Sequence, residues 1–269
     1  MPKRTPHEQL YSVTETDLSR ANLKTILGSI PQPYCLTGGW SVFLIVNEGF
    51  HKTKGHPYQY SKDIDLGFHF DPNWNSKDYD SSPFGKAVAK IHEMGFKLQG
   101  PHFIKRYSAK DGHELTPEEE RRLPSIEISP LVIDLLVDSA DRKRIKMAKF
   151  PVIEELLLTK VFTGEEYQTR KFEGLDVRTP IPSLQMEMKI KSFPERTADD
   201  KKTKDLTDLI ALRLYSGGQP PSMGEDGDSA TLSHYKQKLK EVTDKEWDTV
   251  SRQLDMTTKE ARRIANTFH

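Results

Sequence analysis

Two aspartates, Asp63 and Asp65, stand either side of Ile64 in the stretch Ser61-Lys62-Asp63-Ile64-Asp65-Leu66-Gly67-Phe68. On a strand, acids two apart leave the same face with Cα atoms about 7 Å apart, while the alternate residues Ile64, Leu66 and Phe68 anchor the other face. Carboxylates so placed offer hard oxygen ligands to Mg2+ or Mn2+. A cation held there also takes triphosphate oxygens, lowering their charge and aligning an in-line displacement. An Asp-x-Asp by itself is common on exposed strands, so its surroundings decide. Gly38-Gly39 lies between an apolar segment and a helical pattern, where glycines let backbone N–H groups approach a phosphate. Ser61 and Lys62 bring a hydroxyl and an ammonium directly before the acid pair. Asp134 interrupts the apolar run 131–137. An unpaired buried carboxylate is costly, so an acid in such a run normally serves a cation or a reaction. Asp138 shares its strand face and is the substitute third acid.

The elements that must position these residues follow from periodicity. Residues 16–28 have helical apolar spacing closed by Gly28, and 34–36 form a short strand after Pro31 and Pro33. A helix over 40–46 ends near Gly49, and His51 to Tyr60 forms a basic, aromatic insertion. The alternation at 63–68 is a strand. Residues 71–83 are loop, 85–94 helix and 96–98 strand. The charged stretch 107–124 is a hairpin tip or mobile excursion, and strands at 125–129 and 131–137 complete the sheet. Beyond it, 152–162 and 183–191 are expected helices with a strand at 175–178 between them, and 199–215 is a longer helix. Glycine and proline mark 217–229 as a linker. Residues 230–268 form two or three amphipathic helices with Thr243 and Thr257 as N-caps.

Leu36-Thr37-Gly38-Gly39-Trp40-Ser41-Val42 followed by Ser61-Lys62-Asp63-Ile64-Asp65-Leu66 resembles the DNA polymerase β-type nucleotidyltransferase superfamily. There a Gly-Gly turn opens a helix, Asp-x-Asp follows on the next strand, and a further acid stands on a later strand. Residues 183–189, Arg196 and Lys204-Asp205-Leu206-Thr207-Asp208-Leu209 are similar to the AbiEii and MenT toxin nucleotidyltransferases. The resemblance spans residues 34–214 in the order the family has. It implies that Asp63, Asp65 and Asp134 hold the metal and carry the chemistry, with Lys189 in phosphate contact or metal support. It also implies that Gly38, Gly39, Ser61 and Lys62 line the triphosphate site and that Asp205 and Asp208 match the acidic helix beside it. Two departures stand out: His51 to Tyr60 lengthens the gap between motifs, and Gln59 occupies the place where members often carry arginine.

Composition narrows the alternatives. Forty basic residues balance forty acidic ones, which excludes a histone-like cationic coat yet permits local basic patches at 52–62 and 142–146. One cysteine, Cys35, cannot form an internal disulfide and reads as a core filler in a cytoplasmic protein. The start Met1-Pro2-Lys3-Arg4 lacks a signal-like apolar region, and no run approaches the roughly 20 apolar residues that span a bilayer. No P-loop, His-Glu-x-x-His, paired-cysteine zinc or Gly-x-Ser-x-Gly pattern occurs.

The expectation is therefore an α/β (α+β) nucleotidyltransferase core with a mixed sheet flanked by helices over 1–150. A helical region over 151–216 completes the active site, a linker covers 217–229, and C-terminal helices occupy 230–269. The reaction moves a nucleotide, with ATP or CTP as donor, to an acceptor hydroxyl. RNA, at the 3′ end of tRNA, is the acceptor that the toxin resemblance implies, with a cognate antitoxin as partner and no membrane. The alternatives are a small-molecule, antibiotic-type nucleotidyltransferase and a non-catalytic nucleotide- or RNA-binding protein.

Overall fold

The computed structural model describes residues 10–218 and 228–268. In chain order the elements are α1 (Val13–Leu27), β1 (Cys35–Leu36), α2 (Gly38–Lys54), β2 (Ile64–Phe68), α3 (Ser76–Ser81), α4 (Pro83–Glu93), β3 (Lys97–Gln99), β4 (His102–Ser108), α5 (Pro117–Arg122) and β5 (Ile128–Val137). They continue as α6 (Arg142–Ala148), β6 (Ile153–Glu154), α7 (Leu158–Phe162), β7 (Tyr167–Phe172), β8 (Leu175–Pro180), α8 (Pro182–Ser192), α9 (Asp199–Tyr215), α10 (Asp228–Lys240), α11 (Asp244–Gln253) and α12 (Thr258–Ala265). Contacts divide the chain into a sheet unit, residues 11–41 and 60–180, and a helical unit built from 42–59 and 181–268.

The sheet unit has the expected mixed α/β architecture. Its six-stranded sheet runs β1-β2-β5-β4-β3, with β6 also pairing β5. β2 and β6 lie parallel to β5, whereas β1, β4 and β3 join antiparallel. Parallel pairing sets Ile64 against Ile133, Asp65 against Asp134 and Leu66 against Leu135. Ile64, Leu66, Ile133, Leu135 and Val137 are buried, so one face carries the core and the other carries the acids. Pro130 is tolerated inside β5 because β2 begins pairing only at Ile133, leaving the proline nitrogen without a strand to serve there. β7 and β8 form a separate hairpin.

In the helical unit, α9 packs with α8, α11 and α12. Thr243 and Thr257 cap α11 and α12 as expected, each side chain accepting from the backbone N–H three residues on. Residues 203–212 of α9 are buried on every side, Leu206, Leu209, Ile210 and Leu212 among them, and Tyr235, Trp247 and Phe268 fill the space among the C-terminal helices.

Several local expectations change. The helix from the glycine bend does not end at Gly49 but continues to Lys54, taking the start of the basic insertion, His51 to Lys54, with it. Gly49 is there for clearance: a Cβ on it would stand 2.5 Å from the Tyr215 carbonyl oxygen. The loop over 71–83 contains α3, started by a reciprocal Asn75–Asp78 capping box. The excursion over 107–124 contains α5, capped by Thr116 and Glu119 in the same way. The strands expected at 125–129 and 131–137 are a short 3-10 turn followed by the single strand β5. The helix expected over 152–162 is β6 followed by the short α7. β4 and β7 were hidden by their charged residues. Residues 219–227 of the expected linker, and the start Met1 to Arg4, lie outside the described residues.

Candidate active site

β1 delivers the chain to Thr37, whose N–H donates to the Asp65 carbonyl at 2.9 Å and ties the glycine bend to β2. Gly38 follows with φ +60°, a left-handed conformation that glycine adopts without a Cβ clash. A Cβ here would also overlap the carboxylate of Asp65, so this position needs glycine for space as well as conformation. The acid is thus seated against the bend where α2 begins. Ser41, in the first turn, is fully buried, and its hydroxyl has no protein partner among the described residues.

Asp63 precedes β2 by one residue and Asp65 is the second residue within it, both half-buried. Asp134 is the register partner of Asp65 on β5, and His102 is the register partner of Asp134 on β4. Adjacent strands in register point their side chains to one side, so Asp65, Asp134 and His102 form a row across three strands. His102 Nδ1 lies 2.6 Å from Asp134 Oδ1. Ser61 is buried, and the Lys62 ammonium sits 4.7 Å from the centre of the Tyr11 ring.

Asp138 has a different setting. It is 4% exposed, and each oxygen has a partner: Phe70 N–H donates to Oδ1 at 2.9 Å, and His69 Nδ1 meets Oδ2 at 2.5 Å. That hydrogen bond raises the His69 pKa, against the opposing effect of partial burial. Gly67, two residues beyond Asp65 on β2 and paired with Leu136 on β5, has no room for a side chain: a Cβ would stand 2.5 Å from the Leu158 side chain.

Lys189, Asp205 and Asp208 belong to the helical unit and come together there. Lys189 Nζ is ion-paired with Asp205 and lies 2.9 Å from Asp208 Oδ2. Lys204 pairs with Asp208, Arg196 Nε donates to Asp205 Oδ2 at 2.6 Å, and Tyr58 Oη donates to Asp208 Oδ1 at 2.7 Å. Asp205 is 3% exposed and Asp208 fully buried. Burial would lower the Lys189 pKa, but its two carboxylates reverse this and raise it. Burial would raise that of Asp205, but Lys189 and Arg196 lower it. For Lys204, burial wins and the pKa falls, despite Asp208. These charges compensate one another in a low-dielectric interior, where loss of any one strands the rest.

Sequence reasoning missed His102 and Tyr58 as members of these clusters. The tight turn at Gly100-Pro101, closing the pair Gln99 and His102, was the available signal for β4.

No family model matches the chain, and no curated protein matches it. Among solved structures it is similar to an antigenic nucleotidyltransferase-like protein from Paracoccidioides brasiliensis, at 16% identity over 90% of this chain and 93% of that one, with a TM-score of 0.38. A likeness of that degree carries nothing about the reaction.

Proposed function

We propose that the chain is a metal-dependent nucleotidyltransferase that moves a nucleotide from a nucleoside triphosphate to a hydroxyl of RNA. The observation that supports it is the seating of Asp65 against the Gly38 bend, in register with Asp134. The bend, Gly39 and the buried Ser61 form the phosphate-binding wall, where a helix start favours anions. Among the described residues no three His, Cys, Asp or Glu side chains group to hold a metal ion by themselves. Two hard carboxylates at Asp63 and Asp65 nonetheless fit Mg2+ or Mn2+ that completes its shell with nucleotide oxygens. When bound, such an ion supplies charge neutralisation of the triphosphate.

Asp134 has one oxygen held by His102, which suits it to take the proton of the acceptor hydroxyl. The hydroxyl oxygen then bonds to the α-phosphorus, the bond from that phosphorus to the bridging α–β oxygen breaks, and pyrophosphate leaves with the electron pair. Lys189, Asp205 and Asp208 already satisfy one another, which favours a positioning role for them within the helical unit. The resemblance to toxins adds the tRNA 3′ end as acceptor and an antitoxin as partner, with ATP or CTP as donor.

Incubation of the full chain with each α-labelled triphosphate, bulk tRNA and Mg2+ tests the reading. Label on RNA that vanishes in Asp65→Ala is the expected result. Label only on small hydroxyl acceptors would move the assignment to an antibiotic-type enzyme. Nucleotide binding without transfer under Mg2+ and Mn2+ would make it a binding protein.

A further inference from the structure

We propose that His102 is a positioning residue for Asp134, fixing the carboxylate that receives the acceptor's proton; this rests on the transfer reaction proposed above. Three observations carry it. The two residues are register partners on neighbouring strands, so the backbone ladder itself sets their separation. The contact is short, 2.6 Å from Nδ1 to Oδ1, and a carboxylate only accepts, so Nδ1 carries the hydrogen. His102 is also held at its own backbone: it closes the tight turn through Gly100, at φ +62°, and Pro101.

The same fold supplies an internal contrast. His69 and Asp138 form a second histidine–aspartate pair on this face, but there the backbone N–H of Phe70 takes the other carboxylate oxygen and the acid is sealed from solvent. The Asp134 side chain is 20% exposed and that of His102 is 44% exposed. Only Oδ1 of Asp134 is hydrogen-bonded among the described residues. One pair is closed at both oxygens and structural. The other is closed at one oxygen and oriented.

An aspartate on a strand rotates freely about its terminal torsion unless something grips one oxygen. Loss of the grip lowers the fraction of time in which the second oxygen meets the acceptor hydroxyl, so it acts on turnover and not on nucleotide affinity.

The experiment measures transfer of each α-labelled triphosphate to bulk tRNA with Mg2+, with kcat and KM for the nucleotide determined separately. His102→Leu is expected to lower kcat by about 10–100-fold, the usual range when an orienting partner is removed, with KM unchanged. His102→Asn, whose amide N–H stands where Nδ1–H did, restores kcat to within a few fold. In an Asp134→Asn background His102→Leu adds no further loss, because the pair acts as a unit. His69→Asn leaves kcat unchanged. Equal kcat in His102→Leu and wild type, or additive losses in the double variant, would overturn the positioning role while leaving nucleotidyl transfer intact. No transfer by the wild-type chain would defeat the reaction and this role together. A readout independent of activity is the 15N spectrum of the imidazole: a hydrogen on Nδ1 in the wild type, redistributed in Asp134→Asn, is expected. A fixed Nε2–H form in both would refute the contact itself.

Discussion

The two clusters of aspartates in this chain use the same side chain under opposite conditions. On the sheet, Asp65 and Asp134 stand half-buried on one face, in register, with a glycine bend against one and an imidazole against the other. In the helical unit, Asp205 and Asp208 are sealed and their charge is taken up by Lys189, Lys204 and Arg196. A sealed carboxylate whose charge is already paired stabilises structure and has little left for a substrate. A carboxylate such as Asp134, held by His102 at Oδ1, keeps its other oxygen for the reaction proposed above. On the function proposed above, burial and charge pairing, more than residue type or motif, set a reacting acid apart from a supporting one.

The sharpest break of this contrast is Asp65→Ala, expected to lower RNA labelling by on the order of 10^4-fold through lost charge stabilisation, with the thermal midpoint nearly unchanged. Asp208→Ala should do the reverse. It leaves two buried ammonium groups short of a partner and is expected to cost about 3–5 kcal/mol in urea unfolding, because a broken buried pair is worse than none. Lys189→Met should cost more than Lys204→Met, since Lys189 touches both acids and Lys204 is paired with one. Equal costs would mean the network is not shared as the geometry implies.

Gly38→Ala tests the seat of Asp65. Its Cβ would meet the carboxylate, and φ +60° is strained for alanine, so a stability loss of about 1–3 kcal/mol is expected together with reduced labelling. Stability lost without any change in transfer would detach the bend from the site.

The smallest effect is one of pH, and it has opposite signs in the two regions. His69 is raised in the fold, so its contribution is complete below the unfolded histidine value of about 6.5 and fades as pH climbs through the raised folded value. Asp205 is lowered, with burial opposing and Lys189 and Arg196 prevailing, and Glu246 is lowered by Lys202 and by its cap on Thr243 against a burial effect. Their contributions are complete above the unfolded carboxylate range near pH 4 and fade as pH falls through the lowered folded values. Hydrogen exchange followed by peptide should therefore show the β2 end loosening first towards alkaline pH and α9–α11 towards acid. The His69 part is expected to be below about 1 kcal/mol, because its side chain is 39% exposed. A common direction in both regions would contradict these assignments.

Much of this was legible in residue order because the acids sit on strong strands. Alternation at Ile64, Leu66 and Phe68, and the apolar run holding Asp134, revealed β2 and most of β5. Their parallel register could not be read, since it depends on which strands the crossovers bring side by side. Helix starts with hydroxyl caps, such as Thr243 and Thr257, were recoverable, and the missed helices carried capping boxes too, Asn75 with Asp78 on α3 and Thr116 with Glu119 on α5. β4 was obscured by Lys105 and Arg106, and with it His102. The partners of Lys189 could be narrowed to nearby acids, but Tyr58 lies 150 residues from Asp208 and no local pattern joins them.

The assignment of residues 42–59 to the same unit as 181–268 has a bearing on how the chain is made. Phe50 and Tyr58 meet edge to face within this segment, but Tyr215, which also packs on Phe50, and Asp208, which takes the Tyr58 hydroxyl, come more than a hundred residues later. At roughly 5–20 residues per second of synthesis, the segment waits on the order of ten seconds at the ribosome with aromatic surface uncovered. The nascent chain thus carries a built-in interval in which a holding chaperone has something to bind, and slowing translation between the two segments would lengthen it.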